Sequence, residues 1–246
     1  MTANFADLVA VIPALDEEGS IGTVVSGLLT RGVPLVIVAD NGSKDRTTQV
    51  AQGAGAVVVV AARRGYGSAC LAALKSLPPG TRAVVFCDGD GADDLDQIAA
   101  VVCPVLDGHA DLVIGSRVLG RAEAGALSAP QRAGNRVAAG LLRILYDADV
   151  TDLGPFRCIR ASSLVALAMR DPAFGWTAEM QTKALRHGLR VVEVPVNARM
   201  RRFGQSKISG RVIPVFQAGL AILSTILIHR FAPSSQARCG RSVQEP

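Results

Sequence analysis

Asp88 and Asp90, in the stretch Asp88-Gly-Asp90-Gly91, are the residues of this chain best placed for chemistry. They follow a short apolar run, Ala83–Cys87, so a strand would deliver both carboxylates to its end. Two carboxylates so close cannot both be buried unpaired. A hard divalent cation removes the repulsion and can share its coordination with a diphosphate. Gly89 and Gly91 leave the backbone bare for a ligand's close approach. Acidic triplets are also common in surface loops, so the reading depends on what else stands nearby.

Four further apolar runs end in charge or glycine. Pro13-Ala-Leu-Asp16-Glu17-Glu18 follows Leu8–Ile12, and Asp40-Asn-Gly-Ser-Lys-Asp45 follows Leu35–Ala39. Arg63-Arg64-Gly65-Tyr66-Gly67 follows Val57–Ala61, and Gly115-Ser-Arg117 closes the run from Asp111. Asp16 and its two neighbours either hydrogen-bond a nucleoside or are acids drawn to a helix start by its dipole. Asp40 is placed to accept from a base N–H or a ribose hydroxyl. Two arginines before a glycine-rich helix start favour phosphate. Neither a Walker A sequence nor GxGxxG after the first run is present, which disfavours a P-loop ATPase and a dinucleotide dehydrogenase.

The elements that must position these residues alternate. Helix-compatible segments at 20–30, 46–52, 68–76 and 94–106 separate the apolar runs, with Asp45 placed to cap the second. Runs apolar on both faces suit parallel strands covered on both sides. The rhythm predicts a doubly wound α/β sheet over 7–117, with ligands beyond the carboxyl ends of its strands. After 117 it stops. A loop over 118–130 precedes a helix over 131–146, a turn over 152–157, helices at 161–169 and 177–187, and a strand at 190–196. One domain is expected over 1–231: a nucleotide-binding half to 117, an acceptor half over 118–210 and an apolar helix over 211–231. A disordered tail is expected from 232 to 246.

The ordered set of motifs resembles family 2 glycosyltransferases of the GT-A fold, over about residues 8–210. The nearest branch is that of dolichyl-phosphate mannose synthases and bacterial polyprenyl-phosphate sugar transferases. The resemblance implies a mostly parallel α/β sheet and an inverting transfer from a UDP- or GDP-linked sugar, with Mg²⁺ or Mn²⁺ held by Asp88 and Asp90. It implies a donor site of Pro13, Asp16, Glu17, Asp40, Asp88 and Asp90, to which the basic, glycine-rich helix start adds Arg64 and Gly67 and the close backbone approach adds Gly89. Arg201 and Lys207, in Arg201-Arg-Phe-Gly-Gln-Ser-Lys207, are similar to a basic pair on a loop that closes over the diphosphate. Arg117 would contact donor or acceptor phosphate. Asn41 replaces the second aspartate of one motif. Ala92 stands where mannose synthases carry glutamine.

Acceptor candidates are Arg132, Asn135, Asp152, Arg157, Trp176, Glu179, Gln181 and Lys183. A hydroxyl acceptor needs a general base, for which Glu179 and Asp152 are candidates. A lipid phosphate needs none, and a polyprenyl phosphate is the favoured acceptor. Trp176 is otherwise a packing residue, and Glu179 with Lys183 an i,i+4 pair. The rivals are a soluble hydroxyl acceptor, a sugar-1-phosphate nucleotidyltransferase and a non-catalytic sugar-nucleotide binder. The acidic segment after the first run argues against the nucleotidyltransferase.

The 246 residues carry a net charge of +5, which fits an anionic ligand or membrane surface. No nucleic-acid motif accompanies it. Five cysteines without a CxxC pair read as free thiols of a cytoplasmic protein, and no signal peptide is seen. Val212–Ile228 is free of charge but short for a span. It packs under the sheet or lies on the inner face of the plasma membrane as a peripheral contact.

Overall fold

The structure is a computed structural model that describes residues 5–201 and 212–231, the side chains of the second stretch from 219. Lys207 and the tail from 232 lie outside the described residues. The apolar runs form strands β1 (Leu8–Ala14), β2 (Leu35–Asp40), β3 (Val57–Val60), β4 (Ala83–Phe86) and β5 (Leu112–Ser116). Two later strands are β6 (Arg157–Arg160) and β7 (Val191–Pro195). Together they make one seven-stranded sheet in the order β3-β2-β1-β4-β6-β5-β7. β6 runs antiparallel between β4 and β5, and the other pairings are parallel.

The helices are α1 (Ile21–Thr30), α2 (Thr47–Gly53), α3 (Tyr66–Leu74), α4 (Ile98–Leu106), α5 (Ala129–Tyr146), α6 (Ala161–Leu167), α7 (Trp176–Arg186) and α8 (Val212–Phe231). α2 starts behind Arg46 rather than Asp45, yet Asp45 Oδ1 still takes the Thr47 N–H at 2.9 Å. α5 starts with a reciprocal cap, in which Ser128 N–H donates to Gln131 Oε1 at 2.8 Å and the serine hydroxyl oxygen accepts from Gln131 N–H.

Successive strand side chains alternate between two cores. Leu8, Ala10, Ile12, Ala83 and Val85 meet Ile21, Val25, Leu28, Val101 and Val105 of α1 and α4. Val9, Val11, Val84 and Phe86 meet Ala69, Cys70, Leu164, Trp176 and Met180 of α3, α6 and α7. Burying each such Leu, Ile or Val stabilises by about 1.5–3 kcal/mol. A third cluster joins Ala138 and Leu142 of α5, Ala178 of α7 and Ile226 of α8. The apolar helix thus packs on α5 and α7, not under the sheet. Its outward residues Leu220, Leu227, Ile228 and Phe231 are exposed. No helix among the described residues is long and apolar enough to cross a membrane.

From β1 the chain builds β2 and β3 on one side, then returns to place β4 on the other. The crevice beyond β1 and β4 is therefore the switch point where such sheets bind ligands.

Candidate active site

The loops after β1 and β2 are knitted by their own acids. Asp16 Oδ1 accepts from Lys44 N–H at 2.7 Å, and Asp16 N–H donates to Ser43 Oγ at 2.9 Å. Glu17 N–H donates to Thr47 Oγ1 at 2.8 Å, and Glu18 N–H to Asp45 Oδ2 at 3.1 Å. Buried Asp40 accepts from Ser43 N–H at 3.2 Å. Pro13 is buried beside Ala39 in the β1–β2 register. These acids tie the two loops at the strand ends together, and Asp16 holds a non-glycine backbone there at φ 48°.

At the end of β4, Asp88, Asp90 and Asp93 crowd into one turn. Burial, then the charges of Asp90 and Asp93, push the Asp88 carboxyl well above the usual range. Burial also pushes Asp93 up to about 7. Asp93 Oδ2 accepts from Asp88 N–H at 2.9 Å, and Asp90 Oδ1 from Ala92 N–H at 2.8 Å. Arg199 N–H donates to Ala92 O at 2.8 Å and ties in the segment after β7. Arg201 then reaches Asp90 Oδ2 through Nη2 at 2.5 Å and Glu17 Oε1 through Nη1 at 3.2 Å. Among the described residues no three His, Cys, Asp or Glu side chains converge as a metal cage. A site of one or two carboxylates, crowded with negative charge, suits an ion that takes its remaining ligands from phosphate and water, as Mg²⁺ and Mn²⁺ do.

Several candidates serve other ends. The N–H groups of Gly67 and Ser68, at the start of α3, donate to Ala173 O and Pro172 O at 3.1 and 2.9 Å. That helix end is closed, and Gly67 offers no amide to phosphate. Exposed Arg64 donates to Gly42 O at 3.1 Å. A Cβ on Gly89 would stand 3.1 Å from Ile21 Cδ1, so packing alone already favours glycine there. Glu179 is buried and accepts from Arg170 and Asp171 N–H at 3.0 and 2.7 Å, and Lys183 Nζ lies 2.6 Å from its Oε1. Held by three donors and almost without exposure, this carboxylate anchors the 170–171 backbone, an arrangement that suits a structural anchor better than a general base. Lys183 also donates to Ala168 O at 2.8 Å and does not line the groove described below. Trp176 is buried edge-on against Phe86, with ring centroids 6.2 Å apart. Arg157 is fully buried and donates to Gly154 O and Thr177 O, both at 2.9 Å. Burial lowers its pKa to about 10. Both residues are structural.

Arg117, at the end of β5, makes a bidentate pair with buried Asp152, Nε to Oδ2 and Nη2 to Oδ1, each 2.8 Å. Asp152 thus fixes Arg117 and is not free to act as a base. The 151–152 turn hangs on Glu193 of β7, which accepts from Asp152 N–H at 3.0 Å and Thr151 Oγ1 at 2.6 Å. From Arg117 and Asp152 a groove of about 770 Å³ opens between α5 and α8. Arg132, Arg136 and Arg143 border it, and Arg132 donates to Leu127 O at 2.6 Å. Sequence reasoning missed Tyr66, Asp93 and Glu193. The signal for Glu193 is a lone acid amid strand valines; that for Asp93 is the excess of acids over 88–96.

The family model for glycosyl transferase family 2 matches residues 9–164. This chain belongs to that family. The match spans the strands and loops that carry the aspartates of the crevice, and the chain is a glycosyltransferase enzyme of the GT-A fold. An uncharacterised glycosyltransferase of Mycobacterium tuberculosis is 38% identical over 202 residues, 81% of this chain and 88% of that protein. A dolichyl-phosphate hexose transferase of Haloferax volcanii is 31% identical over 227 residues, 91% and 94%. Glucosyl-3-phosphoglycerate synthase from M. tuberculosis, solved with Mn²⁺, UDP and glucosyl-3-phosphoglycerate, superposes with a TM-score of 0.73. It is 22% identical and covers 93% of this glycosyltransferase and 81% of its own chain.

Proposed function

We propose that this glycosyltransferase moves a sugar from a UDP- or GDP-linked donor to a polyprenyl phosphate, with inversion at the anomeric carbon. The observation that carries the acceptor half is the groove between α5 and α8. Arg117 stands at its inner end, and Val137, Val150, Leu153, Ile222 and Leu223 line it. A cation ahead of an apolar channel fits an anionic head with a hydrocarbon tail. Among the described residues lining the groove the one carboxylate is Asp152, and Arg117 holds both its oxygens. A hydroxyl acceptor would find no base there, whereas a phosphate is already anionic at neutral pH. The similarity to a dolichyl-phosphate hexose transferase along nearly its whole length supports the same acceptor class.

The donor nucleoside would lie on the wall built by Pro13, Asp16, Glu17 and Asp40, its diphosphate towards Asp88 and Asp90. Mg²⁺ or Mn²⁺ held by Asp90, with Asp88 beside it, would supply charge neutralisation for the departing diphosphate. Arg201 would exchange its carboxylate partners for the diphosphate and stabilise the same charge. Arg117, held rigid by Asp152, would orient the acceptor phosphate. The exposed residues of α8, with Ile144 of α5 80% exposed, suit a peripheral contact on the inner face of the plasma membrane. Arg136, Arg143 and Arg230 beside them favour anionic lipid.

The test is transfer from UDP-glucose and GDP-mannose to undecaprenyl phosphate in vesicles, run beside 3-phosphoglycerate. The expected product is a lipid-linked sugar with release of nucleoside diphosphate. Transfer confined to the soluble acceptor would overturn the lipid reading, and pyrophosphate release would mark a nucleotidyltransferase.

A further inference from the structure

The start of α3 is held in an unusual way. Its first residues have no side-chain cap. The loop 171–173 closes the helix end instead, through the carbonyls of Pro172 and Ala173. The approach is so close that a Cβ on Gly65 would stand 2.1 Å from Pro172 O, and one on Gly67 2.0 Å from Asp171 O. Gly65, at φ 139°, also donates its N–H to Asn41 Oδ1 at 3.0 Å. The loop is itself anchored. Glu179 takes the N–H groups of Arg170 and Asp171, and Asp171 Oδ1 takes that of Ala173 at 2.7 Å. Three separate contacts therefore fix where α3 begins: two with the 171–173 loop and one with Asn41, next to Asp40 at the end of β2.

What this helix start delivers to the crevice is a phenol. The ring of Tyr66, the first residue of α3, packs against the core of the α3 face, and its hydroxyl donates to Asp88 Oδ1 at 3.3 Å. Among the described residues no other hydrogen bond reaches the Asp88 carboxylate. That carboxylate follows directly on the last buried residues of β4, with its backbone N–H already committed to Asp93.

We propose that Tyr66 is a positioning residue for Asp88: its hydroxyl pins one carboxylate oxygen and leaves the other aimed at the metal and donor. The inference rests on the donor-site reading above and deepens it. A carboxylate with a free torsion samples several orientations, and a fixed donor on one oxygen removes most of them. The loop and Glu179 act one step further back, by setting the height of α3. This assigns the buried glutamate a part in the site without contact with any substrate.

Tyr66→Phe keeps the ring in the core and removes only the hydroxyl, so the thermal midpoint should not move. Two readouts test the role: Mn²⁺ affinity in the presence of UDP and of GDP, followed by the EPR signal of free Mn²⁺, and release of nucleoside diphosphate from UDP-glucose and GDP-mannose. Both should fall about tenfold, the loss expected for one hydrogen bond to a charged group. The decisive comparison is a double-mutant cycle with Asp88→Asn. In that background Tyr66→Phe should cost less than about twofold, because the partner is already changed. A Tyr66→Phe protein equal to wild type, or effects that simply multiply, would overturn the proposal. If wild-type protein binds no Mn²⁺ with either nucleotide, the donor-site reading fails and takes this inference with it.

Discussion

Arg201 makes the most discriminating prediction, because its removal should push two measurements in opposite directions. Its guanidinium stands between Asp90 Oδ2, at 2.5 Å, and Glu17 Oε1, at 3.2 Å. Both acids are largely buried, at 5% and 9% side-chain exposure, while Arg201 is 26% exposed. A hydrogen bond to a charged group contributes about 1.5–3 kcal/mol when buried, and exposed ion pairs about 0–1, so the Asp90 contact is worth about 1–2 kcal/mol. A metal that needs Asp90 must displace that contact first. Arg201→Gln should therefore bind Mn²⁺ without nucleotide about 5- to 30-fold more tightly. The same variant should transfer sugar about 10²-fold more slowly, because the cation meant for the departing diphosphate is gone. Mn²⁺ titration by calorimetry and steady-state release of nucleoside diphosphate measure the two arms. Weaker Mn²⁺ binding by Arg201→Gln, or an unchanged turnover rate, would refute the exchange of partners.

Three other outcomes are expected. Glu179→Gln should leave the pH profile of turnover unshifted, with any loss shared by Mn²⁺ binding because the glutamate acts only through α3 and Tyr66, whereas a loss of about 10²–10⁴ with Mn²⁺ binding intact would restore Glu179 as a general base. Arg157→Ala strips the buried Gly154 and Thr177 carbonyls of their donor and should destabilise by about 2–4 kcal/mol in urea unfolding; a change under about 1 kcal/mol would contradict a structural role. Replacing exposed Ile144 and Phe231 together by serine should cut binding to vesicles rich in anionic lipid by about 10²-fold, while hydrolysis of donor without acceptor stays unchanged. Equal vesicle binding by this double variant would remove α5 and α8 from the membrane contact.

Most of the sheet was legible because parallel strands covered on both faces must be apolar throughout, as Leu8–Ala14 and Ala83–Phe86 are. β6 escaped because Arg157-Cys-Ile-Arg160 carries a cation at each end, and nothing local shows that Arg157 turns inward to carbonyls. The acids of the crevice were legible as a set, since five strand ends carry them or glycine. Their division of labour was not. Asp16 serves a loop backbone, Asp152 an arginine and Glu179 a pair of amides across the fold. Each assignment depends on a partner between 8 and 35 positions away in the chain. Polar residues on a helix read as exposed, so the burial of Glu179 and Gln181 on α7 was hidden too.

The placement of β6 bears on how the chain must be made. β4 and β5 do not touch as partners; each waits for β6, which leaves the ribosome some seventy residues after β4. Until then a nascent chain ending near residue 117 holds the crevice aspartates on a sheet whose β4 edge is open, with β5 a further strand unpaired. Such edges are templates for pairing with other chains. A fragment cut at the boundary between donor and acceptor halves is therefore expected to aggregate rather than bind nucleotide. The two halves divide the chemistry, yet synthesis cannot finish one without the other.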